Sequence, residues 1–409
     1  MSNTTLRQRF TFTSTQKKVL FTLASMVGLR MLGLFLVLPV FTLYGLQFTN
    51  SKFLVGFAFG AYALTMAFLQ IPLGRLSDRI GRRKVLVIGM TLFSLGSFLC
   101  ALPGLLPHSW QIWELILGRL VQGGGAIISV AFATVADYIE PERRSTAMAV
   151  LGIPIGISFA VGIIGGPILA GWFGTASLFW ITGILALGTD FLLVRYLRAE
   201  DPKREPPAPM AQIFAHPALI AYAVGGFLIN FFMSIFFFNF PLIVTVKLHL
   251  SMNHYYKLLL PMMVISAFTM FGFSQGADKG GARPLAALAY SMFIPSFLLL
   301  FEPSWLGQNP TRLLPVFFAG TLFYIGFTGL EPILPSLVSK TAGPASYGTA
   351  LGFYNTAQFV GSAVGGPLAG LLANYSPRPK VLITMIAAIV GVVMMLATKP
   401  PVPVETAPQ

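Results

Sequence analysis

Apolar stretches of about 20 or more residues recur along the whole chain, and charge is confined to the short segments between them. Such a stretch crosses the roughly 30 Å hydrocarbon core of a bilayer as a helix. In lipid every backbone N–H and C=O must be paired within the segment or across a closed barrel, so repeated runs of this length specify a helical bundle. Only 10% of the 409 residues are charged and the mean hydropathy is +0.77, which argues against a soluble protein. The fold class expected is therefore an all-α integral membrane protein.

Twelve spans are predicted, at 19–46, 53–73, 85–106, 110–137, 145–171, 174–197, 217–246, 256–277, 285–301, 312–339, 347–373 and 380–398. Placing the N-terminus in the cytoplasm puts 19 of the 27 basic residues in cytoplasmic segments and 6 outside, leaving Arg30 and Arg119 within spans. That asymmetry obeys the rule that Lys and Arg stay inside, and both termini are expected to be cytoplasmic. The same rule accounts for the net charge of +14 without any nucleic-acid partner. The proline-rich segment "RAEDPKREPPAPMAQIFAH" divides the chain. The expected organisation is a cytoplasmic segment 1–18, a six-helix bundle 19–197, a linker 198–216, a second six-helix bundle 217–398 and a cytoplasmic tail 399–409.

The sole cysteine, Cys100, lies inside an apolar run and allows no intramolecular disulfide. No cleavable signal, nucleotide-binding loop, metal-ligand cluster or nucleophilic triad stands out, so neither cofactor nor metal nor enzymatic activity is expected.

The two halves repeat. "GGPILAG" at 165–171 precedes "GGPLAG" at 365–370 by 200 residues, and Asp78 in "GRLSDRIGRRK" (74–84) precedes Asp278 in "GADKGGAR" by the same offset. Agreement between a polar loop and a glycine-rich helix argues for duplicated six-helix units. Parallel repeats of this kind characterise one large transporter class, with the substrate site near the midplane between halves.

These residues resemble the major facilitator superfamily over 19–399. "GRLSDRIGRRK" is similar to that family's loop between helices two and three at Gly74, Asp78, Arg79, Gly81, Arg82 and Arg83. "GRLVQGGGA" at 118–126 resembles the fourth-helix motif, with Arg119 in the motif position. "GIIGGPILAG" at 162–171 resembles the fifth-helix motif of proton-coupled drug antiporters through Gly162, Gly165, Gly166, Pro167 and Gly171, although Ala170 replaces the first glycine of the final pair. More narrowly, "RMLGLFLVLPVF" (30–41), "LEPILPSLVSK" (330–340) and "GTALGFYNTAQFVG" (348–361) look like the YajR-type bacterial efflux transporters. The tail 399–409 is too short for the small soluble C-terminal domain that such proteins carry, so no role of that domain is expected here.

Physical chemistry assigns the charged residues roles. Asp78 is expected at the cytoplasmic end of the second span, opposite free N–H groups where the eleventh span begins near Tyr347. A helix N-terminus attracts a carboxylate by about 0.3 to 1 kcal/mol when exposed, so Asp78 can latch one half to the other. Asp278 against Ser145 and Thr146 would be the repeat's second, weaker contact. Asp137, at a helix C-terminus, faces an unfavourable dipole and needs a cation, for which Arg79, Arg82 or Arg83 is available. The resemblance implies that this loop holds the outward-open state; the plainer alternative is that its cations only fix topology.

Arg30 and Arg119 fall near mid-membrane, where an unpaired cation is costly unless it meets water or an anion. The resemblance implies that helices one, four, seven and ten line the cavity, which favours both as site residues. Glu331, in the tenth span, is the prime candidate proton carrier, with Arg30 or Arg119 as a partner; a solvated helix-end carboxylate paired with Lys340 is the alternative, and Asp190 in the sixth span is the second candidate. Polar and aromatic cavity candidates are Tyr62, Asn230, Phe231, Asn239, Tyr324, Tyr354, Asn355 and Gln358. The fifth-helix glycines allow close packing, and the resemblance implies a dry seam there that prevents leakage.

The function expected is proton-coupled efflux of small amphipathic molecules by alternating access, from a monomer in a bacterial inner membrane in contact with lipid. The alternatives are a proton-linked transporter of one metabolite such as a sugar or amino acid, or a membrane receptor that does not transport.

Overall fold

The computed structural model describes residues 12–197, 216–306 and 313–398. Its helices are α1 Ser14–Val37, α2 Phe41–Gly45, α3 Lys52–Ile80, α4 Arg82–Ala101, α5 His108–Gly123, α6 Ile128–Tyr138, α7 Pro141–Phe173, α8 Thr175–Tyr196, α9 Pro217–Leu242, α10 Tyr256–Gly276, α11 Ala282–Phe301, α12 Leu313–Leu372 and α13 Pro377–Ala397. Among the described residues there is no strand. Starts follow local chemistry. Thr13 and Gln16 form a reciprocal capping box on α1. Ser51 accepts from the Leu54 N–H at the start of α3, and Pro141, Pro217 and Pro377 occupy first helical positions, where no N–H partner is needed.

Among the described residues ten apolar stretches are long enough to cross a membrane, one of them the 46-residue Tyr256–Phe301. That stretch breaks at Gly280, whose φ of 95° is outside the helical region, and so supplies two spans. The 60-residue α12 supplies a further one, because it doubles back. A straight helix would carry Tyr354 about 30 Å beyond Leu334, yet both pack against consecutive residues of α9: a Cβ on Gly225 would meet Leu334 at 3.4 Å, and one on Gly226 would meet Tyr354 at 2.6 Å. Phe323, before the reversal, stacks on Phe236 of α9 with centroids 3.8 Å apart. The twelve expected spans are thus accounted for.

Boundaries depart from expectation where glycine or proline intervenes. The first span is interrupted at 38–40, around Pro39, and the fourth at 124–127 within its glycine run. "GRLSDRIGRRK" is barely a loop. Helix continues to Ile80 and resumes at Arg82, and Gly81, with φ 99°, is the single hinge between them, a conformation that L side chains resist.

The repeat is visible in the packing. Gly162 and Gly166 of α7 lie directly against the Phe35 and Leu36 backbone of α1, and Gly361 and Gly365 of α12 lie in the same way against Phe227 and Phe231 of α9. Small residues let these backbones approach.

The two halves touch unevenly. At the end remote from Gly81, Gly56 of α3 packs on the backbone of Gly366 and Gly370, and Gly60 packs on Ala363 and Pro367. At mid-depth Phe159 of α7 stacks on Phe327 of α12 at 5.6 Å. One apolar core runs across both halves at that remote end, from Val37, Phe41 and Val55 to Phe231 and Phe240. At the basic end the first half keeps its own separate core of Val19, Leu20, Val85, Val135 and Leu151. There Gly152 and Gly156 of α7, and Gly348 and Gly352 of α12, face open space. The halves are sealed against each other at the remote end, whereas these four glycines at the basic end meet no neighbour.

Candidate functional site

Two buried arginines share one aromatic ring beneath the seal. Arg30 of α1, 1% exposed, donates from Nη2 to the Tyr62 hydroxyl at 2.7 Å and contacts Met66 Sδ at 3.1 Å. Arg119 of α5, 5% exposed, donates from Nη1 to Gln122 Oε1 at 2.5 Å, and Gln122 donates onward to Ser97 at 2.9 Å. The guanidinium carbons lie 5.9 Å (Arg30) and 4.7 Å (Arg119) from the Tyr62 ring centroid, so they are at most 10.6 Å apart. At an effective dielectric of about 20, unit charges at that separation repel by roughly 1.5 kcal/mol. The facing rings of Phe93 and Phe41 partly offset this through cation–π attraction. Neither arginine forms an ion pair with any described residue, and the Nε of each is buried without a hydrogen-bond partner.

A small, partly open cavity lies between the halves and is lined by Leu34, Val37, Leu38, Phe41, Phe59, Tyr62, Ala63 and Arg119 from the first half and Asn230, Met233, Phe359 and Ser362 from the second. Of the cavity residues expected from sequence, Tyr62 and Asn230 line it. Phe231 lies outside that lining and stacks on Phe227 at 5.9 Å, beside Gly365. Asn239 also lies outside that lining and donates to the Ile235 carbonyl of its own helix. Nine residues separate Asn230 from Asn239, which at 3.6 residues per turn puts them on opposite faces. Tyr324 is buried among Phe236, Phe237 and Phe323. Tyr354 is buried against Gly226, while Asn355 and Gln358 are half-buried and their neighbours Phe359 and Ser362 reach the cavity instead.

Glu331 forms no ion pair with either arginine. Tyr324, Phe327 and Glu331 recur at helical spacing on α12, and Phe327 is the residue that stacks on Phe159 of the other half, so Glu331 lies on the inter-half face. Tyr290 and Tyr354 are within its electrostatic reach. Among the described residues Glu331 makes no ion pair, so the expected pairing with Arg30, Arg119 or Lys340 is not formed here. Asp190 lies between α8 and α4, accepting from Thr91 at 3.0 Å, with its other oxygen buried and unpartnered. No cavity-lining residue comes from either of those helices.

At the basic end Arg82 is the cation that Asp137 requires. Its Nε donates to Asp137 Oδ2 at 2.9 Å and its Nη1 reaches Asp78 Oδ1 at 2.6 Å and Ser77 Oγ at 2.5 Å. Asp78, Arg82 and Asp137 thus form one cluster, while Arg79 is exposed, Arg83 half-buried and Gly74 faces only Ser129. The helix N-termini expected for the carboxylates are not offered here. The fifth span starts at Pro141 rather than near Ser145 and Thr146, and α12 is helical through position 347. Asp278 is exposed in a wide helical turn and forms no ion pair with a described residue.

Beside this cluster, Gln16 donates to the Tyr138 carbonyl at 3.2 Å and to both oxygens of Glu140 at 3.2 and 3.1 Å, tying the start of α1 to the α6–α7 turn. A hydrogen bond from its own backbone, then those from Gln16, hold the Glu140 carboxyl below the usual carboxylate range. Sequence reasoning passed over Gln16 and Glu140, and also over Gln122, whose place three residues after Arg119 is the one sequence signal that could have found it. Of the fifth-helix motif, Gly162 and Gly166 seat α7 on α1, whereas Gly165 has room to spare and Gly171 is exposed.

Comparison with known proteins places this geometry. Residues 23–366 match the Major Facilitator Superfamily. The Inner membrane transport protein YajR of Escherichia coli (strain K12) is 32% identical over 403 residues, covering 96% of this chain and 86% of that protein. Multidrug resistance protein MdtL of Klebsiella pneumoniae is 26% identical over 362 residues, covering 84% and 86%. The crystal structure of a D-xylose-proton symporter superposes with a TM-score of 0.72 at 18% identity, covering 94% of this chain and 98% of that one, a likeness of fold.

Proposed function

The chain belongs to the Major Facilitator Superfamily, a family of transporters rather than enzymes, and from that premise we propose that it is a proton-coupled efflux antiporter of small amphipathic molecules working by alternating access. It is a multi-pass membrane protein, and the reading places it in a bacterial inner membrane as a monomer, with both termini and the basic end in the cytoplasm, as the charge asymmetry favours. The observation that carries the reading is Glu331, a carboxylate on the inter-half face of α12 with no ion pair among the described residues. A carboxyl so placed can load a proton from one side and release it to the other when the halves rock. Efflux is favoured over uptake by the resistance proteins among the relatives and by the fifth-helix glycine seam.

In this structure Arg82 is paired with Asp78. Closing the basic end would bring α12 back toward α3, where Asp78 can leave Arg82 and cap the re-formed N-terminus of the eleventh span, latching the outward-open state. Asp278 supports the other seam more weakly.

Proteoliposomes carrying an imposed pH gradient test the reading. A pH-sensitive dye is followed while cationic, neutral and anionic amphiphiles are added one at a time. The reading predicts that at least one dissipates the gradient only in vesicles that contain the protein. Silence across the panel, beside a reconstituted control antiporter that responds, would contradict it.

A further inference from the structure

Resting on the transport reading, we infer that the substrate is an organic anion, a molecule with an aromatic or branched apolar body and one carboxylate or sulfonate, bound with its acid group at Arg119. Arg119 lines the cavity and is buried, yet its Nε has no partner and its described hydrogen bond goes to the neutral Gln122. Arg30 adds a second buried cation behind Tyr62. No residue lining the cavity carries a negative charge; the polar groups there are Tyr62, Asn230 and Ser362. Glu114, the acid on the same helix, lies five residues earlier, about 7.5 Å along the axis, and forms no ion pair with Arg119.

Two buried cations and no carboxylate among the lining residues leave the charge balance at Arg119 to the occupant. A guanidinium screened from water binds a carboxylate or sulfonate through paired N–H groups, and the same field repels a cationic amphiphile. The remaining wall decides what the anion is attached to. Leu34, Val37, Phe41, Phe59, Met233 and Phe359 are apolar and would leave a bare inorganic ion without partners on most sides.

The test uses two probes with one aromatic body, 1-naphthylacetate and 1-naphthylmethylammonium, titrated calorimetrically into the purified full chain in nanodiscs with no pH gradient. The expected result is at least tenfold tighter binding of the anion, a preference lost in Arg119→Gln. A second variant, Asn230→Asp, supplies an anion to the cavity wall while leaving both arginines in place; the preference should fall there too. Tighter binding of the cation, equal binding of both, binding of neither, or a preference untouched in both variants would overturn the proposal. Binding is read without a gradient, so failure of proton coupling leaves this result standing, and gradient-driven flux of a cationic panel member with no anion preference would sink the substrate class alone.

Discussion

Arg82 and Asp137 are 55 residues apart in sequence, and the Nε of one donates to the carboxylate of the other at 2.9 Å while the same guanidinium holds Asp78. The cluster is partly exposed, with side-chain exposures of 16%, 26% and 39% for Arg82, Asp137 and Asp78. Each pair is therefore worth no more than about 1 kcal/mol, and salt screens it. Arg82→Ala leaves two carboxylates facing each other at a helix C-terminus. We expect a loss of about 1 to 2 kcal/mol, a fall of a few degrees in the melting temperature in detergent that shrinks as salt is raised. A melting temperature unchanged at low salt would show that the cluster contributes nothing.

Gly56, packed on the Gly366 backbone, and Gly352, in open space at the other end, report opposite states of the two gates. Gly56→Leu should wedge the sealed end apart and raise modification of a cysteine placed at Phe59. Gly352→Leu should fold normally but obstruct closure, leaving cysteines at the basic end permanently reactive and cutting transport at least tenfold. Asp78→Asn, by removing the latch, should also favour the basic-end-open state. Identical labelling of Asp78→Asn and wild type would reject the latch.

Gln16 and Glu140 predict an acid-sensitive clasp. The folded carboxyl is held below its usual range, so its contribution is complete above the ordinary carboxylate pKa near 4.3 and is lost as pH falls through the depressed value. Hydrogen-exchange protection of residues 14–20, corrected for intrinsic rates, should be flat from pH 7 to 5 and drop only below that. Gln16→Leu should remove the same protection at pH 7. Protection that declines already between pH 7 and 6 would assign the effect to another group.

Much of this architecture was legible because it depends on local quantities. Run length sets the spans, and the dipole at the end of α6 demanded a cation for Asp137 that Arg82 provides. Rotation about the helix axis was not legible. An amphipathic helix announces its buried face, but α9 is apolar on all sides, so nothing in its pattern separates Asn230, which lines the cavity, from Asn239, which does not. Asp190 illustrates a related limit: its partner Thr91 belongs to a row with Ser94 and Ser97, but nothing in the sequence says which helix that row faces. The Gln122–Ser97 support of Arg119 joins residues 25 apart on two helices, a pairing that only tertiary packing creates.

The central claim is that a proton carried by Glu331 drives export, and the decisive measurement is transport by Glu331→Gln in proteoliposomes, in two modes. Equilibrium substrate counterflow without a pH gradient needs rocking of the halves but no proton. Gradient-driven flux needs both. Glu331→Gln should retain counterflow within a few-fold of wild type and lose gradient-driven flux at least a hundredfold. Wild-type gradient-driven flux in this variant would contradict the account.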